Sequence, residues 1–357
     1  MSVRSSTSVS LAGWILTAVL LCFAKSGNAA EKSDRYDAFM ASMSAEHNFN
    51  GSVLVSKGGR TLISAGYGVA NAEWNAPNSA TTRFRIGSVS KQFTAVGILI
   101  LVERGELKLD DFLSAILPNT PANWAEIRVR HLLNHTSGIP HSWKLTAFTE
   151  TIAHTQMLDD VIDQSKGEPL LFEPGSAFSY SGYGYFILAR IIETVSGQSL
   201  DEFFSENVYE PFGMHSTGID SYESIIPERA SGYVRIDDEL KHSPLVYMPN
   251  LNGGGSLYST VGDLAKWHAG LAKKMLISEA LYEQMYTPVL KNYGFGWRIV
   301  ERNGYTVYEH TGGVYGFHAF IKRIPDIDAV VVVLTNIANE PSWKKVAEGL
   351  EAIVTER

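Results

Sequence analysis

Gly51-Ser52-Val53-Leu54-Val55-Ser56-Lys57, then Gly58-Gly59, then Arg60-Thr61-Leu62-Ile63-Ser64-Ala65-Gly66 is the stretch from which the fold is read. Two runs of strand-forming residues flank a glycine pair, the composition of a tight hairpin turn whose central residues need positive φ. A counterpart lies near the other end of the chain. Ala329-Val330-Val331-Val332-Val333-Leu334 is apolar at every position, as expected of a central strand covered on both faces. Strand-like stretches near 293–301 and 316–323 precede that run, which extends to 335. Helices are expected over 35–47 and 341–355, outside these strands. Between them the periodicity predicts helices over 91–104, 151–164, 183–196, 199–208 and 260–274. No linker or internal repeat interrupts 31–357. The pattern predicts a mixed α/β fold, with an antiparallel sheet built from both chain ends, flanked by helices, and a mainly helical lobe inserted. The sheet lobe would take about 31–80 and 285–357 and the helical lobe about 81–284, with a cleft between them.

The chain has 357 residues, 45% of them hydrophobic and 19% charged, with a formal net charge of −8. That is an ordinary globular composition, and an acidic chain without a basic block offers nucleic acid no electrostatic attraction. Residues 1–30 differ. Arg4 in a polar lead, the apolar run Leu11 to Ala24 and the small residues Gly27-Asn28-Ala29-Ala30 follow the order of a secretory signal peptide. The apolar run is shorter than the ~20 residues of a membrane span, so stable membrane insertion of the mature chain is not expected. Leu21 stands where a lipoprotein signal would carry a small residue before Cys22. Cleavage after Ala29 or Ala30 would remove Cys22, the only cysteine, and with it disulfide and thiolate chemistry. The expected location is periplasmic or extracellular.

Gly87-Ser88-Val89-Ser90-Lys91 opens the predicted helix 91–104, which is apolar nearly all round and therefore buried. On a helix, residues three apart share a face, so Ser88 and Lys91 can touch. A serine hydroxyl needs a base, and a desolvated lysine loses pKa and becomes one. The helix start also offers N–H donors to a developing oxyanion. Alone, S-x-x-K is a weak signal. Tyr180-Ser181-Gly182-Tyr183-Gly184-Tyr185 places a phenol in a glycine-rich loop before a helix, where it can pass a proton; Tyr183 and Tyr185 read as packing. His310-Thr311-Gly312-Gly313 stands before the strand with Gly316-Phe317, and alone would pass as a turn.

Together, these stretches resemble the serine β-lactamase/penicillin-binding-protein superfamily, with S-x-x-K, Y-x-N and K-T-G or H-T-G in that order. The spacing resembles the branch of class C β-lactamases, H-T-G D,D-peptidases, D-aminopeptidases and related esterases. Phe84-Arg85-Ile86-Gly87-Ser88-Val89-Ser90-Lys91-Gln92-Phe93-Thr94-Ala95, the stretch Arg130 to Ile139 and Gly254 to Thr260 look like segments of that branch, and the similarity runs over roughly 35–350. The resemblance implies an acylated Ser88, with Lys91 and Tyr180 sharing its proton. It implies His310 as a partner of Tyr180 or the substrate, Thr311 and Gly312 against the substrate, and an oxyanion hole from the N–H groups of Ser88 and Gly313. Its fold agrees with the pattern above, and no cofactor is implied. The substrate would be a small molecule or peptide: a D-amino-acid peptide, an ester or a poor β-lactam. Gly182 departs from the pattern, since relatives usually carry asparagine there to position the lysine and the substrate amide. Glycine supplies neither donor nor acceptor and is expected to leave a gap, favouring esters over β-lactams.

Three rivals are weighed. A metal hydrolase could use His131 and His135, but Leu132 stands where a zincin needs glutamate. An α/β-hydrolase would show G-x-S-x-G, which is absent. A catalytically silent penicillin-binding or sensor domain would usually have lost the serine, lysine or tyrosine, and all three are present.

Overall fold

The computed structural model describes residues 34–356. The expectation of a signal peptide over 1–30 falls outside them. Helix α1 spans 34–47, and strands β1 (Gly51–Lys57) and β2 (Arg60–Tyr67) form the expected hairpin. Gly58 and Gly59 both have positive φ, 58° and 70°, as a twist-matched two-residue turn requires. Next come α2 (Ser90–Glu103), α3 (Gly182–Ser196) and α4 (Val261–Ala272). The chain closes with β3 (Arg298–Arg302), β4 (Tyr305–Val314), β5 (Phe317–Ile324), β6 (Ala329–Thr335) and α5 (Ser342–Thr355).

The six strands make one antiparallel sheet in the order β3-β4-β5-β6-β1-β2. Alternation divides β1 and β6 between two cores. Val53, Val55, Val331 and Val333 pack with Tyr36, Met40 and Met43 of α1 and Val346, Leu350 and Val354 of α5. Leu54, Val330, Val332 and Leu334 face the other core, which contains the apolar side chains of α2, α3 and α4. Both faces of β6 are apolar, so polarity alone cannot fix its register. Its polar ends do. Asn336 accepts from Asn50 Nδ2 at 2.6 Å and donates to Val69 O and Ser231 O, while Gly58 N donates to Asp328 O at the far end.

The structure departs from the expected elements at four places. The helix expected over 151–164 is two, Thr146–Thr151 and Leu158–Asp163. Asn250 Nδ2 takes the carbonyls of Ile152 and His154, at 3.2 and 2.8 Å, that a continuous helix would use. The helix over 199–208 closes in a wide turn, Ser205–Tyr209, after Leu200–Phe204. The strand expected from 293 begins at Arg298, because Gly294 and Gly296 bring the preceding backbone against Met285 O and Lys91 O. His310 to Gly313 is not a turn but belongs to β4. Two adjacent glycines weaken a strand pattern, and here they mark the close approach of another backbone. A small sheet of Phe84–Arg85, Leu257–Ser259 and Gly218–Ile219 also lies within the inserted segment. Among the described residues, no helix is long and apolar enough to cross a membrane.

Candidate active site

Ser88 lies in a single 3-10 turn, Gly87–Val89, that runs into α2. The turn rests on β4, backbone to backbone. A Cβ on Gly87, whose φ is 49°, would stand 2.8 Å from Gly313 N. One on Gly312 would stand 1.9 Å from Ile86 O and 3.1 Å from Ser88 N. Glycine is therefore required at both positions, and Gly313 comes to lie beside Ser88. Strand β3 pairs only with Tyr305 to Glu309 of β4. From His310 onward that edge of β4 is not paired with β3, which leaves room for an extended ligand to lie along it.

Lys91 Nζ donates to Ser88 Oγ at 3.2 Å and to Gly254 O at 2.5 Å. The lysine is 2% exposed, in the first turn of a helix buried from Ser90 to Leu101. Its near neighbours are a carbonyl, a hydroxyl and the rings of Tyr180 and Tyr185, at 5.1 and 5.4 Å. Burial pushes its pKa down to about 7. Near neutral pH a large share of Lys91 is thus an uncharged amine beside a serine hydroxyl.

The Tyr180 hydroxyl is buried and makes no hydrogen bond. Burial raises its pKa, so at neutral pH it is a phenol able to donate. The Ser88 hydroxyl is close enough to oppose that rise, though without the geometry of a formed bond. Behind Tyr180 stands His135, buried with φ 61°, its ring centroid 4.2 Å from that of the tyrosine. His135 Nδ1 accepts from Ser181 N at 3.2 Å, which fixes the loop carrying Tyr180. Ser181 caps α3 by accepting from Gly184 N.

His310 hydrogen-bonds Tyr293, not Tyr180. Its Nδ1 lies 2.7 Å from Thr311 O and must carry the proton, so its Nε2 accepts from the Tyr293 hydroxyl at 2.9 Å. Burial, with Lys91 nearby, holds its pKa down to about 3, so the ring is neutral. The sequence reading did not single out Tyr293. The signal available was the glycine spacing of Tyr293-Gly294-Phe295-Gly296. A cavity of about 220 Å³ is lined by Ser88, Tyr180, Tyr293, Arg298, Thr311 and Gly313, among others. Arg298, which makes no ion pair among the described residues, lines the cavity together with Glu309, itself paired with Arg302.

Gly182 corrects the expectation of a gap. A Cβ there would stand 2.4 Å from Ser142 Oγ and 3.4 Å from His141 Nδ1. The space is occupied, and an asparagine cannot enter it without displacing Ser142. The two candidate metal ligands serve separate ends: His131 Nδ1 accepts from Arg128 N at 3.2 Å, while His135 lies under Tyr180. Among the described residues, no group of three or more His, Cys, Asp and Glu side chains could hold a metal.

Residues 36–354 match the family described as Beta-lactamase. The chain is 32% identical to penicillin-binding protein 4* of Bacillus subtilis (strain 168), over 88% of this chain and 74% of that protein. It superposes on the octameric penicillin-binding protein homologue from Pyrococcus abyssi with a TM-score of 0.80 at 28% identity, covering 90% of this chain and 77% of the other. The D-amino acid amidase from Ochrobactrum anthropi SV3 shares the fold, with a TM-score of 0.77 at 21% identity over 90% of this chain and 97% of that one.

Proposed function

Because the chain belongs to the beta-lactamase family and is a serine hydrolase of that type, we propose that it is an exported enzyme that cleaves esters or amides through an acyl-enzyme on Ser88. The observation that carries this is Lys91 Nζ, buried and 3.2 Å from Ser88 Oγ. A desolvated amine at that distance can take the hydroxyl proton as Oγ attacks the carbonyl. The oxyanion is held by the N–H groups of Ser88 and Gly313. Tyr180, protonated before reaction, hands its proton to the leaving group and is restored through Lys91. Water then attacks the acyl carbonyl and Ser88 leaves with a proton. His310 and Tyr293 form one wall, and Thr311 and Gly312 belong to the open edge of β4 along which the substrate lies. Arg298 suits a substrate bearing a carboxylate, as C-terminal D-amino-acid peptides and β-lactams do. The sheet lobe (about 31–80 and 285–357) and the helical lobe (about 81–284) form one domain, secreted after removal of 1–30.

Intact-mass measurement after treatment with a fluorophosphonate and with a penicillin tests this reading. A single adduct from each, on the peptide containing Ser88, is expected. Steady-state hydrolysis of p-nitrophenyl esters faster than that of nitrocefin should accompany it. A penicillin adduct with no turnover of any ester, β-lactam or D-amino-acid peptide would instead establish the silent binding domain. Activity should also follow the lysine. The neutral amine is the base, so kcat/KM should be level above pH about 7, where burial places Lys91. Below it, kcat/KM should fall about tenfold per pH unit. A profile flat from pH 5 to 8 would rule out Lys91 as the base.

A further inference from the structure

The short helix Val129–Leu133 ends in a way that calls for glycine. Thr136 N donates to His131 O at 2.8 Å and His135 N to Leu132 O at 3.4 Å, a closing turn whose left-handed residue is His135, with φ 61°. Glycine is the common occupant of that position, because a Cβ there costs strain. The histidine is also fully buried and carries a second cost. Its Nδ1 accepts from Ser181 N and burial keeps the ring neutral, so the proton sits on Nε2. That atom has no hydrogen-bond partner among the described residues. A strained backbone and a buried donor without an acceptor both weaken a fold, and they persist where the side chain serves a function.

The group it serves is Tyr180. Ser179 N donates to His135 O at 3.0 Å and Ser181 N to His135 Nδ1 at 3.2 Å, so the residues on either side of the tyrosine hang from one histidine. Between those two bonds the imidazole lies against the phenol ring, centroids 4.2 Å apart and planes tilted by 42°. The Tyr180 hydroxyl makes no hydrogen bond among the described residues, so no bond fixes its reactive end and its position is set from behind. We propose that His135 is a positioning residue for proton transfer to the leaving group. It holds Tyr180 where the phenol proton reaches the leaving atom as the scissile bond to the acyl carbon breaks. A glycine would complete the helix end without strain but would offer the tyrosine neither ring nor ring nitrogen. This inference rests on acyl transfer at Ser88 as proposed above.

Its test is leaving-group dependence in His135→Asn. Asparagine tolerates a left-handed φ and can take the Ser181 N–H on its Oδ1, but puts no ring beneath Tyr180. p-Nitrophenyl acetate and trifluoroethyl acetate share an acyl group, and only the second expels an alkoxide basic enough to need a proton. Its kcat/KM should fall roughly ten- to a hundredfold further than that of the p-nitrophenyl ester, the loss expected when a general acid is loosely placed. In a Tyr180→Phe background the same substitution should leave the ratio of the two rates unchanged, because the group through which His135 acts is gone. Fluorophosphonate labelling and the thermal midpoint report whether the variant is folded with Ser88 in place. His135→Gly, matched to the same φ, repeats the test where asparagine does not fold, and loss of labelling in both would overturn the inference. So would an equal fall for both esters, no fall in either, or a change in ratio that persists without Tyr180. A wild-type enzyme that turns over only the p-nitrophenyl ester would overturn it too. Failure of the wild-type protein to label, or to turn over either ester, would instead sink the acyl-enzyme reading itself.

Discussion

Ser88→Ala abolishes labelling by fluorophosphonate and penicillin and lowers kcat/KM on activated esters by about 10⁴-fold or more, because the acyl route disappears rather than slows. What remains is the rate at which an oxyanion hole and bound water act without a nucleophile. The fold should survive the change. Among the described residues the only side-chain bond to the Ser88 hydroxyl comes from Lys91, and Lys91 keeps its bond to Gly254 O. The thermal midpoint should therefore move by no more than a few degrees. Turnover within tenfold of wild type, in a variant shown to be folded by circular dichroism, would refute the mechanism.

Gly312→Ala should be nearly as damaging, for a reason that involves no reacting group. A methyl at that position meets Ile86 O at 1.9 Å and Ser88 N at 3.1 Å, so β4 and the nucleophile turn must part by more than an ångström. A shift of that size at the reacting centre costs about 10²-fold in rate, and loss of an oxyanion donor costs a similar or larger factor. Roughly 10²- to 10³-fold lower kcat/KM is expected, with a loss of about 1–3 kcal/mol in stability from overpacking. Gly304→Ala, at a turn glycine with open space around its Cα, controls for the methyl itself. It should leave the ester rate alone and cost stability only through its φ of 77°. A Gly312→Ala enzyme with wild-type ester kinetics would show that Ser88 and Gly313 do not share an oxyanion.

Much of the architecture was legible because it rests on patterns with a direct physical cause. The glycine pair at 58–59 permits one kind of turn, and the unbroken apolar run 329–334 has to be covered on both faces. The burial of Lys91 was legible for the same reason, since a lysine opening an apolar helix has nowhere to go but inward. What escaped depends on contacts between distant segments. β4 was hidden because Gly312 and Gly313 look like a turn until Ile86 is seen pressing on them. The helix break at 152–157 is made by Asn250, about a hundred residues away. His141 and Ser142 could not be connected with Gly182 from spacing. A glycine reports that something lies close to it, but not what.

The pairing of β1 with β6 has a consequence for how the molecule comes into being. Asn50 and Asn336, bonded where β1 begins and β6 ends, are 286 positions apart in sequence. Strands β1 and β6 cannot meet until nearly the whole chain is available, and closing so long a loop makes their pairing a late and slow event. A ribosome-bound or partly translocated chain has α1, β1 and β2 in hand but no partner for the inner edge of β1, which leaves an apolar strand open to mispairing. If the chain is exported as proposed above, the same topology would be an advantage: the sheet would be withheld from closing until the last strand had crossed.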